Sequence, residues 1–344
     1  MEVTHLTNTS LWVKFKSGKT LLTDPWFIDG INFGTWNNYP KPSDKQRQEW
    51  LNLRPDYIYI SHFHEDHCDL KTLNNLKCDP EIWIGYFSNN VLKGKLNDRK
   101  LRVLQMYEIT SVDKLKVSIL PDYQCTSMGL EDKVNFQVDS SLYVQDEDGE
   151  SLLDINDNPM QLHHAKEFVS RFGNPTWAAI PSTTASCYPW AFDYSEKEKE
   201  ARWLVLKKNI CKKATDIATE LGAKHTIFFK RGYELVGAMK NIEVNYYEMC
   251  GRAAKNVQAH QKKLSGDCPD WKVSINDFEF SLAGTNLRNV TNWIQFNIKK
   301  EVLLMILTRS MDWNIAELGC MMEIRRKPDR YMPTIHSLMS YFHL

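Results

Sequence analysis

"YIYISHFHEDHCDL", residues 57–70, sets an apolar, β-branched run directly before three histidines and two acids packed into six positions. The whole chain has ten histidines, so three of them here ask for a chemical reason. His62-Phe63-His64-Glu65-Asp66-His67 reads H-x-H-x-D-H at the end of a strand. His62 and His64, two apart at a strand's end, can aim two imidazoles at one metal. Asp66 and His67, in the turn that opens the next helix, can face a second metal beside it. A polar loop with solvated or capping histidines is the alternative, and it does not call for this concentration of ligating side chains.

Outward from that stretch, the first 60 residues read as strands. "SLWVKFKSGKTLLTDPWF" (10–27) alternates apolar and polar residues around a "KSGK" turn, a hairpin pattern with glycine at the turn. "DLKTLNNLK" (69–77) has helical periodicity with Asp69 as its N-cap. Strands are predicted at "EIWIGYF" (81–87) and "KLKVSIL" (114–120), before a loop at Pro121-Asp122. A second hairpin spans "SSLYVQDEDGESLLDIND" (140–157). Then follow a helix through "LHHAKEFVSRFG" (162–173), a buried strand "TWAAIPS" (176–182), a long charged helix over 196–221 and a strand "AKHTIFFK" (223–230). Near residue 241 the character changes to a polar helix, a "SGDCPD" break (265–270), and strands with a helix ending in "MEIRRKPDRYMPTIHSLMSYFHL" (322–344). The expected division is a first domain over 1–240 and a C-terminal α+β extension over 241–344.

The 344 residues allow two domains or one large α/β domain with an extension. Forty-three basic and forty-three acidic residues cancel without like-charge blocks, which excludes the footprint of a nucleic-acid binder. The N-terminal residues lack a signal core, and no apolar run approaches the ~20 residues of a membrane span. The expectation is a soluble, cytoplasmic protein with a small-molecule substrate. Eight cysteines without C-x-x-C spacing read as reduced and mostly buried.

"SHFHEDH" after "DYIYI" resembles the signature of the metallo-β-lactamase fold. Upstream, "GKTLLTDPWFIDGINFGTW" is similar to the D-P-W segment of the branch that holds the L-ascorbate-6-phosphate lactonases, the N-acylphosphatidylethanolamine phospholipases and the CMP-N-acetylneuraminate hydroxylases. The hydroxylases' metallo-β-lactamase-like region is nearest, matched here by "DPWFIDG", "FGTW", "IYISHFHEDH" and "KTLNNL". The likeness runs over roughly residues 5 to 235. It implies an α/β fold, a four-layer αββα sandwich with the metal site at one edge of the sheets. It also implies a bridging aspartate after the second hairpin, where "LLDIND" places Asp157, with Asp154 as the fallback and a plain turn aspartate as the alternative.

The chain departs from that pattern at two histidines. The first would fall in "LPDYQCTSMG", where Asp122 can substitute; the second would follow "AKHTIFF", where Lys230-Arg231-Gly232 stands. His225, His163 and His164 fit a packing role better than ligation. With oxygen replacing nitrogen, the set suits zinc, iron or manganese, one or two divalent ions in all. Asp24, in "TDPW", is either an orienting carboxylate behind a ligand or a turn aspartate. Cys68 is expected at a helix–sheet interface. Trp313, Asn314, Arg325, Arg326 and Arg330 form either an anion-binding cluster or a solvated face.

Three functions compete. A metallo-hydrolase of a phosphoester, lactone or amide would use Asp66 to orient or deprotonate the attacking water. An oxidative role would resemble the hydroxylases, although these residues contain neither the C-x-H nor the C-x-x-H of a Rieske centre. A degenerate, non-catalytic site is the third.

Overall fold

The computed structural model describes residues 1–87, 91–123, 139–182, 186–229, 233–235, 252–253, 255–257, 273–276, 279–282, 293–331, 335 and 338–343. The loop after Tyr123 and the Lys230-Arg231-Gly232 segment lie outside these residues, as does most of the polar helix expected after 241, whereas Asp122 lies within them. The chain divides into two compact units: 1–31, 36–184 and 205–234 in the first, 32–35, 185–204 and 235–344 in the second.

The first unit holds two six-stranded sheets. One contains β1 (Glu2–Thr7), β2 (Ser10–Lys14), β3 (Thr20–Thr23), β4 (Tyr57–Ile60), β5 (Glu81–Gly85) and β6 (Leu101–Leu104), in that spatial order. Its first three strands are antiparallel, as the "KSGK" hairpin predicts, with Gly18 at φ +84° in the turn. β3 to β6 run parallel, each crossover carrying helical turns such as Asp44–Leu51 and Leu70–Asn75. The other sheet contains β7 (Thr110–Val112), β8 (Leu115–Leu120), β9 (Ser141–Gln145), β10 (Ser151–Asp154), β11 (Trp177–Pro181) and β12 (His225–Phe229), again in spatial order.

Strand alternation divides the apolar residues among three cores. Leu21, Tyr59 and Trp83 of the first sheet meet Val117, Ile119, Val144 and Leu152 of the second between the sheets. Leu22, Ile58 and Ile84 face outward with Leu73 and Leu92 from the helices. Leu120, Leu153 and Ile180 face outward with Phe168, Ala214 and Leu221. The layers are therefore αββα, the sandwich that the resemblance implies.

The helix Glu196–Leu221 has the expected bounds, and its last turns supply that outer core. In the second unit, Val302, Leu304 and Leu307 of one helix, with Trp313 and Ala316 of the next, form a separate core. Met322–Lys327, read from sequence as part of a helix, is a strand: it pairs antiparallel with Trp293–Ile298 and alternates inward and outward positions. All five described cysteines are free, but only Cys68 and Cys187 are buried. Cys211 is exposed because its stretch of the long helix faces solvent.

Candidate metal centre

β4, an interior strand, delivers the chain to Ser61 at its carboxyl end, and a tight turn then folds the histidines onto one another. The N–H groups of His67 and Cys68 both donate to His64 O, at 3.0 and 2.7 Å. Asp69 ends the turn by accepting from the N–H groups of Lys71 and Thr72, the predicted N-cap. Because the loop closes on itself, the His62 and His67 rings meet at a tilt of 42° with centroids 4.1 Å apart. Asp157 joins them from the turn after β10. Ligand atoms of His62, His67 and Asp157 all lie within 4.8 Å of one another.

The neighbouring partition differs from the simplest reading of the spacing. His62 groups with His67 and Asp157, while His64 Nδ1 approaches His62 Nε2 at 2.8 Å from the half-buried side of the loop. Asp66 is buried with Oδ2 3.4 Å from His67 Nε2, and Asp157 Oδ2 is 3.5 Å from the same nitrogen. Asp122 is buried at the end of β8. Asn158 ties its loop to the Asp157 turn, accepting from Tyr123 N–H and donating to Pro121 O, both at 2.7 Å.

Behind the histidines stands a polar support. Asp24 follows β3 at φ +37°, a strained value held by a hydrogen bond from its N–H to Tyr59 O at 2.9 Å. It accepts from Ser61 N–H and Ser61 O–H and lies 2.7 Å from His67 Nδ1. Of the two readings left open for Asp24, the orienting carboxylate describes these contacts. Asp139, just before β9, was missed by sequence reasoning, since a lone aspartate before "SSLYV" carries no motif. It is buried, with Oδ1 3.4 Å from His62 Nδ1.

The electrostatics follow from burying several acids beside imidazoles. Burial alone would lower His67, but the charges of Asp66 and Asp24 outweigh it and raise the pKa to about 9. Burial pushes Asp139 up to about 8, His67 opposing and Asp122 adding to the rise. Asp154 is fully buried and held well above the usual carboxylate range by burial and then by Asp24. Without a cation the cluster keeps protons that ionised ligands would release. Two imidazoles, a carboxylate and further buried acids form a donor set that fits a divalent first-row metal.

The remaining candidates lie elsewhere. His164 stacks on Tyr123, and burial lowers it to about 4; the His163 ring lies tilted against His164. His225 stacks on Trp177 at the edge strand β12. Cys68 packs with Leu73 and Leu76 in the helix–sheet core, its thiol pushed up to about 12 by burial. Arg326 stacks over Phe192 and pairs with Asp329, and Arg325 pairs with Asp193, so these forks are engaged within their own unit.

An αββα sandwich with a histidine-rich turn at the ends of its strands is the metallo-β-lactamase fold. Residues 2–152 match the Beta-lactamase superfamily domain. A Mycobacterium tuberculosis protein named for a Rieske 2Fe-2S iron–sulfur centre is 25% identical over 229 residues, 65% of this chain and 42% of that protein. Cytidine monophosphate-N-acetylneuraminic acid hydroxylase of Cricetulus griseus is 36% identical over 92 residues, 25% of this chain and 15% of the hydroxylase. The chain thus spans less than half the length of the curated relatives it matches. Among solved structures, the diiron β-hydroxylase CmlA of Streptomyces venezuelae aligns at 14% identity and a TM-score of 0.46, covering 66% of this chain and 44% of CmlA. Among the described residues, no helix is long and apolar enough to cross a membrane.

Proposed function

We propose that the protein is a metal-dependent hydrolase of a small phosphoester, lactone or amide substrate. The observation that supports this most directly is the convergence of His62, His67 and Asp157 on one point with His67 Nδ1 against Asp24. In this reading His62, His67 and Asp157 hold one divalent ion, zinc first among the candidates. His64, Asp66 and Asp122 are available to a second. A bound ion supplies Lewis acidity that activates water for attack near neutral pH. The protein's own part is to orient imidazoles through buried partners and to accept the water's proton on the buried Asp66 carboxylate.

A second reading, iron-dependent oxidation, is favoured by the ratio of donors. Four buried or half-buried acids, Asp66, Asp122, Asp139 and Asp157, accompany three histidines, and oxygen-rich sets suit iron and manganese. The likeness to a hydroxylase supports the same reading.

The test is metal analysis of the purified chain, then reconstitution of metal-free protein with zinc and separately with ferrous iron. Phosphodiester, lactone and sugar-nucleotide substrates are assayed in air and without oxygen. Turnover by the zinc form in both atmospheres is the expected result. Turnover confined to the iron form and requiring oxygen overturns hydrolysis in favour of oxidation. Less than ~0.2 metal per chain after supplementation overturns both, because a formed site with ionised ligands retains at least one ion.

A further inference from the structure

The long helix Glu196–Leu221 carries apolar side chains that its packing does not use. Leu206, Ile210, Ala214, Ile217 and Leu221 recur at steps of three and four residues and form its inner stripe. The first two are half-buried; the last three are buried and enter the outer core of the second sheet. Leu204 and Val205 lie off that stripe. They are 64% and 61% exposed, and among the described residues no other two consecutive large apolar side chains are both exposed.

Lysines share the outward face with this pair. Lys208 stands four residues after Leu204 and three after Val205, and Lys212 follows four residues later, so the spacing puts all four side chains on one side of the helix. Lys207 and Lys213 flank that side and are exposed as well. From Trp203 to Thr215 the helix carries these four lysines and no acid, in a chain whose total charge is zero. The next acid along it, Asp216, pairs with Lys212 at 2.5 Å.

The two features together select the partner. Lysines alone make a solvated face, and an apolar pair alone suits any apolar contact. A second copy of the same face is disfavoured, because it would set four lysines against four. An acidic protein surface would answer the lysines and leave the aliphatic pair without a purpose. A bilayer rich in anionic lipid answers both: its headgroups draw the ammonium groups, and the acyl boundary beneath them takes the aliphatic side chains, with the lysine stems spanning the step between. The helix is not long and apolar enough to cross a membrane, so it meets one lying flat. We propose that the outward face of Leu204–Lys213 docks on an anionic membrane surface.

The experiment sediments the full chain with vesicles of phosphatidylcholine alone and with vesicles of equal parts phosphatidylcholine and phosphatidylserine, at low salt and at ~1 M salt. Wild type is expected to sediment with the anionic vesicles only, and to be released by salt. Lys208→Ala combined with Lys212→Ala should lower the affinity for those vesicles ~10–30-fold. Leu204→Ser combined with Val205→Ser should lower it ~10-fold or more. Both double variants should keep the wild-type Tm, since the altered side chains are exposed; should one of them not fold, the other decides. Wild type that stays in solution with anionic vesicles, sediments equally with both lipids, or binds no better than the folded variants overturns the inference. A wild-type dimer in sedimentation velocity that Leu204→Ser with Val205→Ser abolishes, without vesicle binding, overturns it in favour of a second copy.

Discussion

His67 Nδ1 lies 2.7 Å from Asp24 Oδ2, and both side chains are fully sealed from solvent. An imidazole so held has one freedom left, the use of its Nε2. Asp24→Asn keeps the side chain's shape and tolerates the left-handed backbone, but replaces one accepting oxygen by a donor aimed at Ser61 or His67. Zinc affinity should fall ~10–100-fold while the fold survives. Competition against a chelating dye measures it; an affinity equal to wild type would show that His67 does not depend on this partner.

Asp157 and Asp154 separate by position. Asp157 is grouped with the histidines, whereas Asp154 lies at the end of β10, fully buried beside the Thr23 hydroxyl and the Asn156 N–H. Burial favours its neutral form, so Asp154→Asn exchanges one uncharged group for another of similar size. Metal binding should be lost in Asp157→Asn and retained in Asp154→Asn. His225→Ala, at an exposed edge, should change stability by no more than ~0.5 kcal/mol. Loss of metal in His225→Ala alone would move the third ligand to β12.

What the sequence made legible is what short-range chemistry dictates. The N-cap at Asp69 and the "KSGK" hairpin are local patterns, and each forms as read. Asp139 and Ser61 were illegible because their roles depend on the packing of one sheet against the other, not on spacing. The pairing of His62 with His67 was similarly hidden: only the closure of the turn through His64 O decides which imidazoles converge. The strand at 322–327 was missed because its partner is some thirty residues upstream.

Ser140 joins the two sheets beneath the site. Its hydroxyl donates to Ser61 O at 2.8 Å and sits 2.8 Å from the Tyr59 hydroxyl. Since its hydrogen goes to the carbonyl, Tyr59 donates to it. Tyr59→Phe removes one buried neutral bond and should cost about 1 kcal/mol. Ser140→Ala strands both the Tyr59 hydroxyl and the Ser61 carbonyl, at ~1–3 kcal/mol for each buried group left unpaired. Urea unfolding compares them. A smaller loss in Ser140→Ala than in Tyr59→Phe would mean that the bridge contributes nothing.

The pH dependence of stability follows from the protons the metal-free site retains. His67 is held at about 9 against an ordinary 6.5, and Asp139 at about 8 against an ordinary 3.8. Both folded values lie above the unfolded ones, so the native state binds more protons than the unfolded chain between 3.8 and 8 at Asp139 and between 6.5 and 9 at His67. Stability falls with rising pH wherever the native state binds the excess. The contribution of His67 is therefore complete below 6.5 and gone above about 9, and the two slopes add between 6.5 and 8. A divalent ion reverses this, because ligands must surrender their protons to bind it, so affinity climbs over the same range. Thermal unfolding of the metal-free protein should give a Tm that declines from pH 6.5 to 8, and the gain in Tm on adding zinc should grow with pH. Asp139→Asn should flatten the decline without abolishing it, leaving the share that belongs to His67. A metal-free Tm that rises across this interval would mean that the acids around His67 do not hold its proton, and the electrostatic account of the site would fall with it.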